Sequence, residues 1–262
     1  MTTPYGQSAA IRELPPDSMA PVIDWDDFVT YVFDWKQDQH VGLIGPTDSG
    51  KSTLTYAILP MRKYCVFFAT KPADKVLEQF GTKAGFVKIE DYPPKVGRFR
   101  KHVASPQEMP RRLLWPDAST LGAVDRQQEV FGRAFEQIYA EGGWCVCWDE
   151  FWMMTSILKM DKEARIMLQQ ARANDMAFVM GAQRPSRIPL ELFDQTTHLF
   201  FWRDNDEANL KRMGGIGWMS ANEIRYFVAN LEPYQVLYLN ARRGWMYRTT
   251  APELKAGTRK KK

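Results

Sequence analysis

The chain has 262 residues, 45% of them hydrophobic and 25% charged, enough to bury one large core with at most a small appendage. No run approaches the length of a membrane span and Met1 to Ala20 holds no signal-peptide apolar stretch, which predicts a soluble protein without a membrane anchor. The net charge of +4 is too balanced to mark a nucleic-acid binder by itself, and three cysteines (Cys65, Cys145 and Cys147) are too few for a disulfide framework.

In chain order, residues 1–23 are Pro-rich and polar and read as a flexible N-terminal arm. Asp24 then caps an amphipathic helix with Trp25, Phe28, Val29, Val32 and Phe33 on one face. His40 to Ile44 reads as a buried strand, and Thr53 to Leu59 as the helix that follows it. Between them, Gly45-Pro46-Thr47-Asp48-Ser49-Gly50-Lys51-Ser52 fits the phosphate-binding loop G-x-x-x-x-G-K-[ST]. Glycines at these positions let backbone N–H groups turn inward onto a phosphate, and the helix start adds its positive end. Lys51 supplies charge to the β- and γ-phosphates, while the Ser52 hydroxyl is placed to ligate Mg2+. ATP is therefore expected on Gly45 to Ser52 and the adjoining Thr53. The helix from Asp24 then has two readings: plain core packing, or a seat beside the adenine or a neighbouring subunit.

A second buried strand, Tyr64 to Ala69, is followed by Lys71 and Lys75. Residues 91–117 are Pro-punctuated and basic, with Lys95, Arg98, Arg100, Lys101, Arg111 and Arg112. Phe99 and Val103 alternate with Arg98 and Arg100, as on a charged edge strand or a DNA-facing surface. A helix from Asp125 to Tyr139 carries one apolar stripe of Phe131, Ala134, Phe135 and Ile138. After it, Trp144 to Trp148 reads as a central strand ending in Asp149 and Glu150. Carboxylates at the C-terminal end of such a strand stand where open α/β sheets place their chemistry. Asp149 suits holding Mg2+ through water, and Glu150 suits orienting and deprotonating an attacking water. That pair points to hydrolysis rather than transfer to a small molecule.

A helix from Asp161 puts Arg165, Gln169 and Arg172 on one face, which reads first as a solvated basic face. The next strand, Met176 to Met180, leads through Gly181 and Ala182 to Gln183, placed to hydrogen-bond a γ-phosphate or the lytic water. Ser220 and Glu223 form a capping box for a helix to Asn230. Tyr234 to Leu239 and Trp245 to Arg248 pair as a hairpin whose tip carries Arg242 and Arg243, for solubility or for contact with a phosphate backbone. The basic tail, residues 251–262, closes the chain.

These residues together resemble the FtsK–HerA branch of the P-loop ATPases, over roughly Val41 to Arg203. The branch's run of Arg, short loop, buried strand and T-Q-R/S is similar to Arg172 to Asp175, Met176 to Met180 and Gly181 to Arg184. Ala182 and Ala171 depart from the branch's Thr before the Gln and Gly before the Arg. The resemblance implies an α/β fold: a RecA-like P-loop NTPase core, residues 24–204, with a mostly parallel sheet flanked by helices. A small C-terminal helix and β-hairpin, residues 205–250, would pack on it. It places the Gln183 strand between the phosphate-loop and Asp149 strands. It also implies a catalytic set of Lys51, Glu150 and Gln183, with Arg172 or else Arg165 as a finger reaching a neighbouring subunit's ATP. The closest flavour is the small phage DNA-packaging ATPase. Implied partners are double-stranded DNA, a homo-oligomeric ring of five or six subunits and a capsid portal or similar docking protein, in the host cytoplasm. Arg98, Arg100, Lys101, Arg242 and Arg243 are the DNA-contact candidates. A plasmid-transfer or filamentous-virus extrusion ATPase, and an ATP-dependent interaction switch with slow hydrolysis, are the alternative functions.

Overall fold

The computed structural model describes residues 17–98, 101–184, 186, 193–215 and 220–252. Its strands are β1 (His40–Ile44), β2 (Cys65–Phe68), β3 (Val87–Ile89), β4 (Lys95–Val96), β5 (His102–Val103), β6 (Arg111–Leu114), β7 (Cys145–Trp148), β8 (Ala177–Ala182), β9 (Thr196–Trp202), β10 (Gln235–Asn240) and β11 (Trp245–Thr250). Its helices are α1 (Trp25–Asp27), α2 (Lys51–Ile58), α3 (Lys75–Lys83), α4 (Ala123–Glu141), α5 (Asp161–Gln170), α6 (Glu207–Gly214) and α7 (Ala221–Ala229). Among the described residues nine strands form one sheet in the order β11-β10-β9-β1-β8-β7-β2-β6-β3; β10 pairs antiparallel with both β9 and β11, and the other pairings are parallel. This is the RecA-like P-loop architecture, with β8 between β1 and β7 as the resemblance implied.

The central strands are fully buried, as their unbroken apolar runs require, and alternate side chains feed two cores. Ile44, Val146, Trp148 and Phe178 face α4, α5 and α7, whose stripes include Phe131, Phe135, Met167 and Phe227. Val41, Leu43, Phe67 and Val179 face α2, α3 and the segment around Phe28. That segment is a short α1, capped by Asp24 Oδ1 on the N–H groups of Asp26 and Asp27, running into a π-helical turn at Phe28–Val32. Phe28 and Phe33 meet Phe200 and Tyr238 edge-on, so the apolar face is core packing and not a nucleobase seat. Cys65, Cys145 and Cys147 are free thiols within this same layer. Burial pushes the Cys145 and Cys147 thiols well up from their ordinary range.

Several expectations need correction. Pro21 to Ile23, read as the end of a flexible arm, lie along β11 through hydrogen bonds with Arg248 of 2.9 Å in each direction. Among the described residues no strand of the main sheet runs through Arg98. Instead β4 and β5 form a separate two-stranded ribbon, while Phe99 and Arg100 lie outside the described residues. Arg111 and Arg112, read only as part of a basic Pro-punctuated stretch, belong to β6 inside the main sheet. Arg112 is wholly buried, donating to the carbonyls of Met109 and Ala104 and to the Tyr92 hydroxyl, and stacked over Trp144. Arg111 donates to the carbonyls of Ala84, Pro60 and Arg62. The Ser220 hydroxyl makes no cap bond to α7; its carbonyl accepts from Glu223 N instead.

Two histidines are buried neutral at one end of the sheet. His198 shares hydrogen bonds of 2.8 Å with the Tyr238 hydroxyl and Gln39 Oε1. Burial, then the Arg242 charge, lowers His40 to about 4 and His198 to about 3. In the unfolded chain both titrate near 6.5. The folded state therefore refuses protons that the unfolded state accepts, and stability falls as pH drops below that value. At pH 5 the loss is about 2 kcal/mol per histidine. Urea denaturation should show a midpoint clearly lower at pH 5 than at pH 7; equal midpoints would contradict the neutral, buried assignment.

Candidate nucleotide-hydrolysis site

The C-terminal ends of β1, β8, β7 and β2 converge on a cleft of about 740 Å³. Gly50, at φ +106°, turns the chain from the loop into α2, a backbone state that only glycine adopts readily. Lys51 Nζ donates to the carbonyls of Gly45 at 2.7 Å and Pro46 at 2.5 Å, curled within its own loop. Burial lowers its pKa, and the carboxylates of Glu150 and Asp149 oppose that fall. Thr47, Asp48, Gly50, Lys51, Ser52 and Thr53 all line the cleft.

Across the cleft, the Ser52 hydroxyl lies 3.5 Å from Asp149 Oδ1. One hydroxyl and one carboxylate facing each other are the hard oxygen donors that Mg2+ takes when phosphates and waters complete its shell. Among the described residues no cluster of three His, Cys, Asp or Glu side chains could hold a metal by itself.

Gln183 joins the two halves of the site. Its Nε2 donates to Glu150 Oε2 at 2.7 Å, and its Oε1 accepts from the Thr47 hydroxyl at 3.1 Å. The approach depends on Gly181, where a Cβ would stand 2.1 Å from the Asp149 carbonyl oxygen. Burial raises the Glu150 pKa; Lys51 pulls it down and Asp149 adds to the rise. A carboxylate with a raised pKa is the stronger base at neutral pH.

One site residue had no assigned role in the sequence. Lys71 Nζ stands 3.3 Å from Asp149 Oδ2 and 3.4 Å from Asp74 Oδ2. Its carbonyl accepts from Trp115 Nε1 at 2.7 Å, which fixes the backbone at the exit of β2. Burial works against its charge, but Asp149 and Asp74 outweigh this and raise its pKa. Its place after the second buried strand is visible in the sequence, but its approach to Asp149 across the sheet is not.

The remaining candidates lie elsewhere. Arg172 follows α5 and precedes β8, so it stands at the sheet end opposite the cleft, about 20 Å from Gln183 along the strand. Its side chain is 84% exposed, and Nε lies 3.7 Å from Asp38 Oδ2. Arg165 is engaged with Asp161 at 2.8 Å. The described DNA-contact candidates lie in two separate connections of the fold. Arg242 and Arg243 sit in the β10–β11 turn at one edge of the sheet, whereas Arg98 and Lys101 lie in the connection between β4 and β5, the ribbon that comes after the opposite edge strand β3 in the chain. Arg243 also bonds Asp34 at 3.3 Å and covers Trp245.

The fold is the RecA-like P-loop α/β architecture, and its cleft gathers the residues of a candidate nucleotide site. Among solved structures the chain is similar to the DNA-packaging ATPase B204 from Sulfolobus Turreted Icosahedral Virus, with a TM-score of 0.56 and 12% identity over 84% of this chain and 100% of that one. The genome packaging NTPase B204 from Sulfolobus turreted icosahedral virus 2, in complex with ATP-gammaS, gives 0.52 and 13% over 82% and 97%. VirB4 of Thermoanaerobacter pseudethanolicus gives 0.57 and 8% over 82% and 90%. At these identities the likeness is one of fold. No family model matches the sequence, and no curated protein does. Among the described residues no helix is long and apolar enough to cross a membrane.

Proposed function

We propose that the chain is an ATP-hydrolysing DNA-translocating motor of the genome-packaging kind, working as a homo-oligomeric ring of five or six copies docked on a capsid portal or similar protein. The observation that carries the reading is Gln183, bonded at once to the phosphate-loop Thr47 and to Glu150. A side chain so placed couples the state of the γ-phosphate to the group that activates water.

In this reading the loop from Gly45 to Thr53 binds the triphosphate, and Lys51 exchanges its loop carbonyls for phosphate oxygens. Ser52 and Asp149 would hold Mg2+, which supplies charge neutralisation to the phosphates when bound. Glu150 takes a proton from water as the oxygen attacks the γ-phosphorus and the bond to the β-phosphate oxygen breaks. Gln183 positions that water, and Lys71 holds Asp149 while adding positive charge to the wall. Arg172 serves the neighbouring copy's site, since its own is out of reach.

The likeness to VirB4 supports a second reading, a translocase serving plasmid transfer or extrusion. One experiment addresses both: hydrolysis by the purified protein, with and without double- or single-stranded DNA, across protein concentration. A packaging motor predicts turnover that rises with duplex and with protein concentration. Preference for single strands favours the second reading. Flat, slow hydrolysis indifferent to both would overturn the motor and leave an ATP-dependent switch.

A further inference from the structure

The cleft is chemically divided. On one side of the phosphate loop stand Lys71, Asp149, Glu150 and Gln183, all used in the reading above. On the other side, where β9 and β11 end and β10 begins, it is lined by Trp202, Pro233, Tyr234 and Ala251, which that chemistry does not use. The strand order explains the division. β8, β7 and β2 flank β1 on one side and β9, β10 and β11 on the other. Because β10 runs antiparallel to β9, its first residues meet the end of β9 beside the loop.

Tyr234 is the anomaly on that side. It occupies the third position of a tight turn, Glu232-Pro233-Tyr234-Gln235, closed by Gln235 N donating to the Glu232 carbonyl at 3.1 Å. Its φ of +62° is the left-handed state that such a turn reserves for Gly or Asn. A bulky aromatic there is a conformational outlier, and outliers of this kind cluster at ligand sites. The fold gives nothing visible in return. The residue is 67% exposed, and among the described residues its ring meets no other aromatic and its hydroxyl has no hydrogen-bond partner. A strained, uncovered aromatic ring therefore lines the apolar half of a cleft whose other half suits a triphosphate.

We propose that Tyr234 is the platform on which the base of the bound nucleotide stacks, an inference that rests on the ATP-binding reading above. The cleft's two halves then match a bipolar ligand, with phosphates at the charged end and a flat heterocycle at the aromatic end. A stacked face accepts any base, so purine triphosphates other than ATP should bind comparably.

The test measures affinities of the full chain for ATP and for inorganic tripolyphosphate, in wild type and in Tyr234→Gly, Tyr234→Asn and Tyr234→Phe. Gly and Asn suit the positive φ, so these two variants fold without the strain. Both should lose ATP affinity about ten- to a hundredfold, the range measured for a base on an aromatic ring, and keep tripolyphosphate affinity. Phe should bind ATP like wild type. Unchanged ATP affinity in the Gly and Asn variants overturns the proposal, as does equal loss for both ligands or loss in Phe. A wild type that binds tripolyphosphate and ATP equally well overturns the stacking platform alone. A wild type that binds neither overturns the nucleotide reading with it.

Discussion

Glu150→Gln should abolish turnover while leaving ATP bound. The expected fall in kcat is about 10²- to 10⁴-fold, the usual worth of a positioned general base. The substitution keeps the shape of the side chain and an oxygen that can still accept from Gln183 Nε2, so the loop and its sensor stay in place. What disappears is the proton acceptor. The pH profile gives a second handle. Burial raises the Glu150 pKa, so the acid limb of wild-type kcat should lie above the ordinary carboxylate range and vanish in the variant. Single-turnover hydrolysis beside equilibrium ATP binding decides the matter. Undiminished turnover would remove Glu150 from the mechanism.

Arg172→Ala should cost about 10³-fold in assembled protein, the lower end for fingers that act across an interface. The argument is positional. Arg172 and Gln183 stand at opposite ends of β8, so Arg172 cannot serve the ATP of its own chain. Its link to Asp38 is long and exposed, and breaking such a pair contributes little to stability. A large loss would therefore not be a folding effect. Mixing separates the remaining cases. Where an Arg172→Ala copy meets a Glu150→Gln copy in the right order, an intact Glu150 faces an intact Arg172. Activity recovered on mixing two dead variants requires action in trans; no recovery at any ratio would refute it. Arg165→Ala, which breaks the ion pair with Asp161 on α5, should remain active.

How much of this was readable depends on where each residue's partners lie. The phosphate loop and the Asp149-Glu150 pair stood out because their residues adjoin a buried strand in sequence, and the strand's apolar run is itself the signal. Gln183 was legible for the same reason, as the polar end of β8. Lys71 and Tyr234 were not, because what distinguishes them is a contact across the sheet or a backbone angle, and neither leaves a local pattern. β6 was hidden by its own charges. Arg111 and Arg112 read as surface because a buried guanidinium is rare, and only the folded chain reveals the carbonyls and the Tyr92 hydroxyl that satisfy Arg112. The basic residues fall in different parts of the fold, Arg98 between the two strands of the separate β4–β5 ribbon and Arg243 in the β10–β11 turn.

The free cysteines turn the molecule into its own reporter. Cys65, Cys145 and Cys147 sit on β2 and β7 in the middle of the sheet, and the raised Cys145 and Cys147 thiols hold almost no thiolate, the form that reacts with alkylating agents. Dyes will therefore pass over the native protein and attach to any single cysteine introduced on its surface, with no need to remove the natural ones. Slow alkylation of the natural three then becomes a clock, ticking only when the centre of the sheet comes apart.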